Sequence, residues 1–397
     1  MFVIAEQLPR AWSEALRQLE RDVTSVGRRA LGHRPSPLVK RAARAVIRGR
    51  QDARELVVAR VIRETADAFT LVLRADDLAP FAFLPGQFFT LLTAIDGEIV
   101  PRNYSASNAP GTPELHLTIK AKAGGRVSPV LARTAPGARL RVLGPFGSFV
   151  CGPSSSRHLV LLAGGSGITP LVSIAAATLA GDALATVALV VGSRREEDII
   201  LASTLEALRA AHPERLTVLH VLEEPPAAWR GEQGRLDRHT TARALAAIPL
   251  AAHPEASFFV CGPDAMRDEV LAALAARGVG ERAIRIERFA IGPRPQVTTS
   301  PAAFAAPGAR PITIRVKDRT HRTVVLPGAT VLEAGLAAGA DMPFSCGVGG
   351  CGACRVKVTS GTIDVEEPNC LTDAERVAGY VLACVGRPCG PCSVEVT

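Results

Sequence analysis

From Glu55 onward the chain sets short apolar runs between turn residues. Leu56 to Ile62, Phe69 to Arg74, Gln87 to Leu92, Glu114 to Lys120 and Arg139 to Leu143 read as strands, punctuated by Pro85-Gly86, Asp96-Gly97, Pro110-Gly111 and Pro136-Gly137. This predicts a small antiparallel β-barrel over residues 53–152. Near Leu159 the pattern changes. Leu159 to Leu162, Thr186 to Val191, Leu216 to Leu222 and Ser257 to Cys261 are unbroken apolar runs divided by Ala- and Leu-rich helical segments. Strands buried on both faces of a parallel α/β sheet read this way, here over residues 153–290. Residues 291–310 hold four prolines and little periodicity, which predicts a semi-extended linker. A third domain over 311–397 opens with strands at Ile312 to Val316 and His321 to Val325, then a helix from Val331 to Ala340.

Residues 1–52 differ from the rest. Trp12, Leu16 and Leu19, and then Val39, Ala42, Ala43, Val46 and Ile47, fall at helical spacing on either side of a Pro35/Pro37 turn, predicting a helical extension. Eleven Lys/Arg against five Asp/Glu there carry most of the formal charge of +8, whereas the last 87 residues hold eight basic against nine acidic. Lys40, Arg41, Arg44, Arg48 and Arg50 beside a short apolar stripe suit a solvated face packed on the next domain, the first expectation. The second is a peripheral contact with an anionic membrane surface. A surplus confined to one end does not make a nucleic-acid binder, and none is expected. The opening MFVIAEQLPR lacks the basic start and apolar core of a signal peptide. The most apolar region, His158 to Ala180, is broken by Gly164, Gly165, Gly167 and Pro170 short of a membrane span. A cytoplasmic protein is expected, with the inner membrane face as the peripheral option.

The chemistry concentrates in three places. Cys346-Gly-Val-Gly-Gly-Cys351-Gly-Ala-Cys354, followed after about thirty residues by Cys384, has the plant-type C-x4-C-x2-C…C spacing of a [2Fe–2S] cluster. Gly347, Gly349, Gly350 and Gly352 let such a loop wrap tightly and turn N–H groups toward sulfur. Zinc is the competing reading, weakened by the presence of only one C-x2-C pair in the loop. The five remaining cysteines, Cys151, Cys261, Cys370, Cys389 and Cys392, are an odd number, which argues for a reducing compartment.

Arg102-Asn-Tyr104-Ser105 offers a guanidinium for phosphate, a ring for stacking and a hydroxyl for a heteroatom at the edge of a flat cofactor. Lys120 and Gly124-Gly125-Arg126-Val127-Ser128, a glycine-rich loop entering a helix, add an anion site; ordinary strand residues are the alternative. In Leu159-Val-Leu-Leu-Ala-Gly164-Gly165-Ser-Gly167-Ile-Thr169-Pro170 a buried strand runs through glycines into a helix, the turn that receives a dinucleotide, although it is not G-x-G-x-x-G and a structural tight turn reads similarly. Cys261-Gly262-Pro263 ends a strand at the same sheet edge, where Cys261 reads as a site residue or an inert buried thiol. His33, His116, His158, His212, His220, His239, His253 and His321 form no close pairs suited to haem or di-iron, so oxygen activation is expected elsewhere.

Arg102-x-Tyr104-Ser105, Gly125-x-Val127-Ser128, Gly164-Gly165-x-Gly167-Ile-Thr169-Pro170, Cys261-Gly262-Pro263 with Met266, and the cysteine loop together resemble the ferredoxin–NADP reductase superfamily. Their order over residues 53–397 is similar to that of single-chain flavin/[2Fe–2S] reductases of oxygenase and fatty-acid desaturase systems. The resemblance implies an FAD-binding barrel, an NAD(P)-binding α/β domain and a β-grasp plant-type ferredoxin domain. It implies Arg102 on a flavin phosphate, Tyr104 stacked on the isoalloxazine and Ser105 near its N5, with Tyr104, Ser105 and Cys261 at the reacting centre. Gly125, Val127 and Ser128 would approach the pyrophosphate, as FAD rather than FMN requires. Gly167 and Thr169 would border the flavin–nicotinamide junction, Cys261, Gly262 and Pro263 would lie beneath the nicotinamide, and Ser193 and Arg194 would meet the adenosine ribose. Glu287 and Phe289 would close over the flavin, and Cys346, Cys351, Cys354 and Cys384 would hold the cluster. Arg194 and Arg195, with no acidic residue directly at the strand end, lean toward NADPH over NADH.

The function so implied is an NAD(P)H-dependent reductase passing electrons through FAD and a [2Fe–2S] cluster to a separate oxygenase or desaturase. A redox sensor without sustained turnover is the second reading, and a ferredoxin-type carrier with a degenerate reductase the third.

Overall fold

The computed structural model describes residues 53–151, 156–249, 253–287, 289, 307–344, 347, 349–350, 352–367 and 369–396. The extension over 1–52, most of the expected linker, Cys346 and Cys351 lie outside the described residues.

The first sheet comprises β1 (Arg54–Arg63), β2 (Ala68–Arg74), β3 (Phe88–Ile95), β4 (Glu98–Ser105), β5 (Leu115–Lys120) and β6 (Arg139–Phe146). The order is β4-β3-β6-β1-β2-β5 with every pairing antiparallel. A bridge between Ala106 and Leu117 ties the chain leaving one edge strand to the other, curling the sheet toward closure as the spacing of strands and turns predicts. Leu56, Leu71, Leu73, Leu91, Leu115 and Ile119 point inward and fill it. The helix after the glycine-rich loop, α1 (Ser128–Leu131), is a single turn.

The second sheet holds β7 (His158–Gly164), β8 (Thr186–Ser193), β9 (Leu216–Leu222), β10 (Glu232–Gln233), β11 (Ser257–Cys261) and β12 (Ile284–Glu287). All pairings are parallel in the order β10-β9-β8-β7-β11-β12. Helices α2 (Ile168–Gly181), α3 (Ala202–Ala211), α4 (Arg238–Ala246) and α5 (Asp264–Ala276) accompany it. Leu159 and Leu161 enter one core and Val160 and Leu162 another, so the strand is apolar at every position rather than alternating. After running outward from β7 to β10, the chain returns to place β11 on the other side of β7. The crevice beyond the carboxyl ends of β7 and β11 is therefore a topological switch point, the favoured ligand position in such sheets.

The third unit is a mixed sheet, β14 (Arg319–Val325)-β13 (Arg310–Val316)-β19 (Cys392–Val396)-β15 (Arg355–Ser360)-β17 (Tyr380–Leu382), beside a small pair of β16 (Ile363–Val365) and β18 (Gly386–Pro388). Helix α6 (Val331–Ala337) lays Val331, Leu332 and Ala334 on it, completing the β-grasp arrangement, and α7 (Asp373–Val377) follows. A reciprocal capping box between Thr330 and Glu333 opens α6, an arrangement contributing about 1 kcal/mol. Its end comes three residues before the expected Ala340 because Gly339 takes a left-handed φ of +74°.

These units touch through specific contacts. Phe149, leaving the barrel, packs edge-on against Phe259 of β11 at 5.5 Å. Thr90 on β3 donates to the Gly350 carbonyl of the cysteine loop at 2.9 Å, and Ser148 donates to Glu366 at 2.9 Å. Among the described residues no helix is long and apolar enough to cross a membrane.

Candidate functional site

Strand pairing builds the first cavity. In the β3/β4 register Phe88 faces Ser105, Phe89 faces Tyr104 and Thr90 faces Asn103, so Arg102, Tyr104 and Ser105 run along the barrel's edge strand. Lys120 ends β5, and Ser128 Oγ accepts the Lys122 N–H at 2.9 Å, folding the glycine-rich loop back on itself. These pieces enclose a cavity of about 610 Å³, within the range of cofactor sites. It brings together Arg102, Tyr104, Ser105, Lys120, Gly125, Val127 and Ser128 from the barrel with Thr169, Glu287 and Phe289 from the second unit. The single-turn α1 offers less of a helix terminus than the sequence suggests, and the Gly125 N–H is taken by the Lys122 carbonyl at 2.9 Å, while Arg126 lines the cavity beside it.

One feature suits the cavity to a large planar ligand. Burial pushes the Tyr104 phenol up to about 12, against the opposing pull of Arg102, so the ring stays neutral and available for stacking at any physiological pH. Asn103 lines the same cavity, and its side-chain amide lies 2.8 Å from the Thr90 hydroxyl, which also bonds the Gly350 carbonyl.

The second cavity, about 750 Å³, lies over the switch point and shares Lys120 with the first. Gly164, Gly165, Ser193, Arg194, Pro263 and Met266 line it. Space requires glycine at Gly167, where a Cβ would fall 2.1 Å from the Cys261 carbonyl, while a Cβ on Gly164 or Gly262 would fall 2.4 or 2.6 Å from Met266 Sδ and displace that side chain. Gly167, Pro170, Cys261 and Gly262 thus stand behind the wall rather than lining either cavity. Cys261 is fully buried beside Glu287, and burial first, then that carboxylate, holds its thiol well above the ordinary value; it contributes shape as a neutral group.

Acidic groups missed from the sequence alter the charge here. Arg194 Nε and Arg195 Nε each donate to Glu224 at 2.8 Å, and the two guanidiniums hold its carboxyl below the usual range. Asp198, Glu223 and Glu269 also line the cavity. Glu223 and Glu224 follow β9, the neighbour of the strand that carries the arginines, so their nearness is a property of the sheet and not of local spacing.

At the cysteine loop the described sulfurs are woven into the backbone. Cys384 N–H points to Cys354 Sγ at 3.4 Å and Gly349 N–H to Cys384 Sγ at 3.3 Å, with both cysteines buried. Gly349 and Gly352 take φ of +75° and +73°, the left-handed turns that wind the loop. Thiolate sulfurs receiving N–H groups suit an iron–sulfur cluster. Cys370 also lies near, donating its N–H to the Gly349 carbonyl at 2.9 Å, whereas Cys389 and Cys392 flank the turn into β19.

Comparison with known proteins agrees with this geometry. Residues 55–151 match the oxidoreductase FAD-binding domain, 161–271 the oxidoreductase NAD-binding domain, and 314–389 the 2Fe-2S iron-sulfur cluster binding domain. The ferredoxin reductase component of 3-ketosteroid-9-alpha-monooxygenase from Mycolicibacterium smegmatis is 36% identical over 363 residues, covering 86% of this chain and 96% of that protein. The chain belongs to the flavin/[2Fe–2S] reductases of the ferredoxin–NADP reductase superfamily. The glycine betaine monooxygenase reductase from Pseudomonas aeruginosa is 34% identical over 352 residues, covering 85% of this flavin/[2Fe–2S] reductase and 93% of that protein. Phthalate dioxygenase reductase shares the reductase's fold, with a TM-score of 0.52 at 21% identity over 87% of this chain and 97% of that one. The reductase is therefore an NAD(P)H-dependent flavin iron–sulfur oxidoreductase.

Proposed function

We propose that this chain is the reductase component of an oxygenase system, with barrel, nucleotide unit and ferredoxin unit spanning residues 53–152, 153–290 and 311–397. The observation that carries the reading is the continuity of the three sites. The 610 Å³ cavity and the switch-point cavity share Lys120 as a common wall on one side, and on the other Phe88 and Asn103 stand between the first cavity and Gly350 of the cysteine loop. When bound, the nicotinamide and FAD convert hydride chemistry into single electrons that a [2Fe–2S] cluster can carry.

The residues' parts follow from their positions. Arg102 holds a flavin phosphate by charge-assisted hydrogen bonds, Tyr104 covers the ring face, and Ser105, at 4% exposure, offers its hydroxyl at the ring edge. Gly125, Val127 and Ser128 admit the pyrophosphate, which favours FAD. Glu287 and Phe289 cover the flavin's far side and exclude water. Gly164, Gly165, Gly167, Thr169 and Pro170 shape the flavin–nicotinamide junction, and Pro263 and Met266 form the floor under the nicotinamide, with Cys261 and Gly262 backing it. Ser193 and Arg194 meet the adenosine ribose. Cys354 and Cys384, with Cys346 and Cys351, hold the cluster.

For the nucleotide, the sequence lean toward NADPH gives way to NADH. Glu224 already engages both guanidiniums that a 2′-phosphate would need, and Asp198 and Glu223 repel a further negative charge. The acceptor is a separate oxygenase, as the names of both monooxygenase relatives suggest, rather than a desaturase. The test is sustained NADH-driven electron delivery: with an oxygenase of the ketosteroid or glycine betaine class, oxygenated product should form only when this chain is present. Turnover that stops after one reduction of the cluster would sink the reading.

A further inference from the structure

His158 opens β7 and His253 lies in the turn before β11, at the amino-terminal edge of the parallel sheet. The fold stacks their rings face to face, centroids 3.4 Å apart and planes 19° from parallel. Glu255 Oε1 lies 3.5 Å from His158 Nε2 and 3.9 Å from His253 Nδ1. Both separations are too long for good hydrogen bonds, so the carboxylate is near both rings without being committed to either. Around a tetrahedral zinc ion with bonds of about 2.0–2.1 Å, neighbouring donors stand about 3.4 Å apart; the carboxylate lies 3.5 and 3.9 Å from the two ring nitrogens, and all three donor atoms lie within 4.8 Å of one another.

The surroundings prepare the rings as ligands. Thr186 Oγ1 lies 2.7 Å from His158 Nδ1, which fixes the ring and leaves Nε2 toward Glu255, the role an outer partner plays for a metal-bound histidine. Burial, then His253 and Arg157, hold His158 below its ordinary pKa despite the opposing pull of Glu255, so the neutral, metal-binding form prevails.

We propose that His158, His253 and Glu255 form a site for one divalent ion of the zinc type, completed by water on the exposed Glu255 side. Rings that share a metal diverge from it, so binding opens the stack, and His253, in the turn, is the ring that moves. Six residues of strand at about 3.3 Å each separate His158 from Gly164, placing the site about 20 Å from the cofactor edge. The ion fastens the turn before β11 to the first residue of β7; it strengthens the sheet and takes no part in electron transfer.

The experiment titrates the flavin- and cluster-loaded protein, freed of adventitious metal by gel filtration, with Zn²⁺ by calorimetry. The wild type should bind one equivalent more than His253→Ala, affinity should fall at least tenfold in Glu255→Gln, and zinc should raise the melting temperature of the wild type alone. Both variants should keep wild-type flavin and iron content and NADH–ferricyanide activity. Zinc bound only at cysteines would survive in His253→Ala. Equal stoichiometry in the wild type and His253→Ala, including none in either, overturns the proposal. Should His253→Ala misfold, unchanged zinc affinity in Glu255→Gln overturns it equally.

Discussion

Gly350 sits where the cysteine loop meets the flavin barrel. A Cβ added there would fall 2.4 Å from Phe88 Cε2, 2.8 Å from its Cζ and 3.3 Å from Asn103 Nδ2. Phe88 has little room to yield: it is 4% exposed, its ring lies 6.0 Å from that of Phe146, and a Cβ at Gly147 would stand only 2.9 Å from it. Ordinary carbon contacts lie at about 3.5–4.0 Å, so Gly350→Val requires the loop to retreat by about 1 Å or more. The retreat also strains the Thr90 bond to the Gly350 carbonyl, worth about 1 kcal/mol, while overpacking costs about 1–3 kcal/mol. Misplacing reacting groups by about 1 Å costs up to about 10²-fold, so NADH–cytochrome c reduction through the cluster should fall between about ten- and 10²-fold. NADH–ferricyanide reduction, which draws electrons from the flavin, should change less than about twofold, with flavin and iron content intact. Thr90→Val should show a smaller loss of the same kind, and Thr90→Ser should restore it. Equal effects on both acceptors, or none on either, would refute a path through this contact.

The other predictions concern the remaining sites. Glu224→Gln frees Arg194 and Arg195, and the NADPH-to-NADH ratio of kcat/KM should rise about two- to fivefold, the scale of exposed ion pairs; an unchanged ratio removes Glu224 from specificity. Cys384→Ser should abolish the visible cluster spectrum while Cys370→Ser retains it; the reverse outcome would make Cys370 the ligand. Because burial raises the Cys261 thiol, it stays protonated through mildly alkaline pH, so iodoacetamide at pH 8 should label exposed Cys389 and spare Cys261 in the folded protein. Peptide mapping that finds Cys261 alkylated would contradict its buried, neutral state.

Much of this molecule was legible from its residues because the apolar runs changed period at each domain. Five of the six barrel strands, the four main strands of the parallel sheet and most of the residues that line the first cavity announced themselves through local pattern. What stayed hidden depends on tertiary approach. Strands β10 and β12 are two and four residues long and carry no apolar run of their own. Glu224 reaches Arg194 only because β8 and β9 are neighbours, and His158 meets His253 only because β7 lies beside β11. The Thr90–Gly350 bond joins residues 260 apart in sequence. Cys261, which sequence placed at the reacting centre, stands behind Gly167, a position that only the packing of the switch point determines.

The central claim is that one chain carries electrons from a nicotinamide through a flavin to its own cluster. Anaerobic titration with NADH, followed in the visible and by electron paramagnetic resonance, tests it most directly. The account predicts that each chain takes up one electron more than its flavin alone can hold, and that the extra electron produces the signal of a reduced [2Fe–2S] cluster. A flavin that bleaches while the cluster stays oxidised, with no resonance signal, would contradict it.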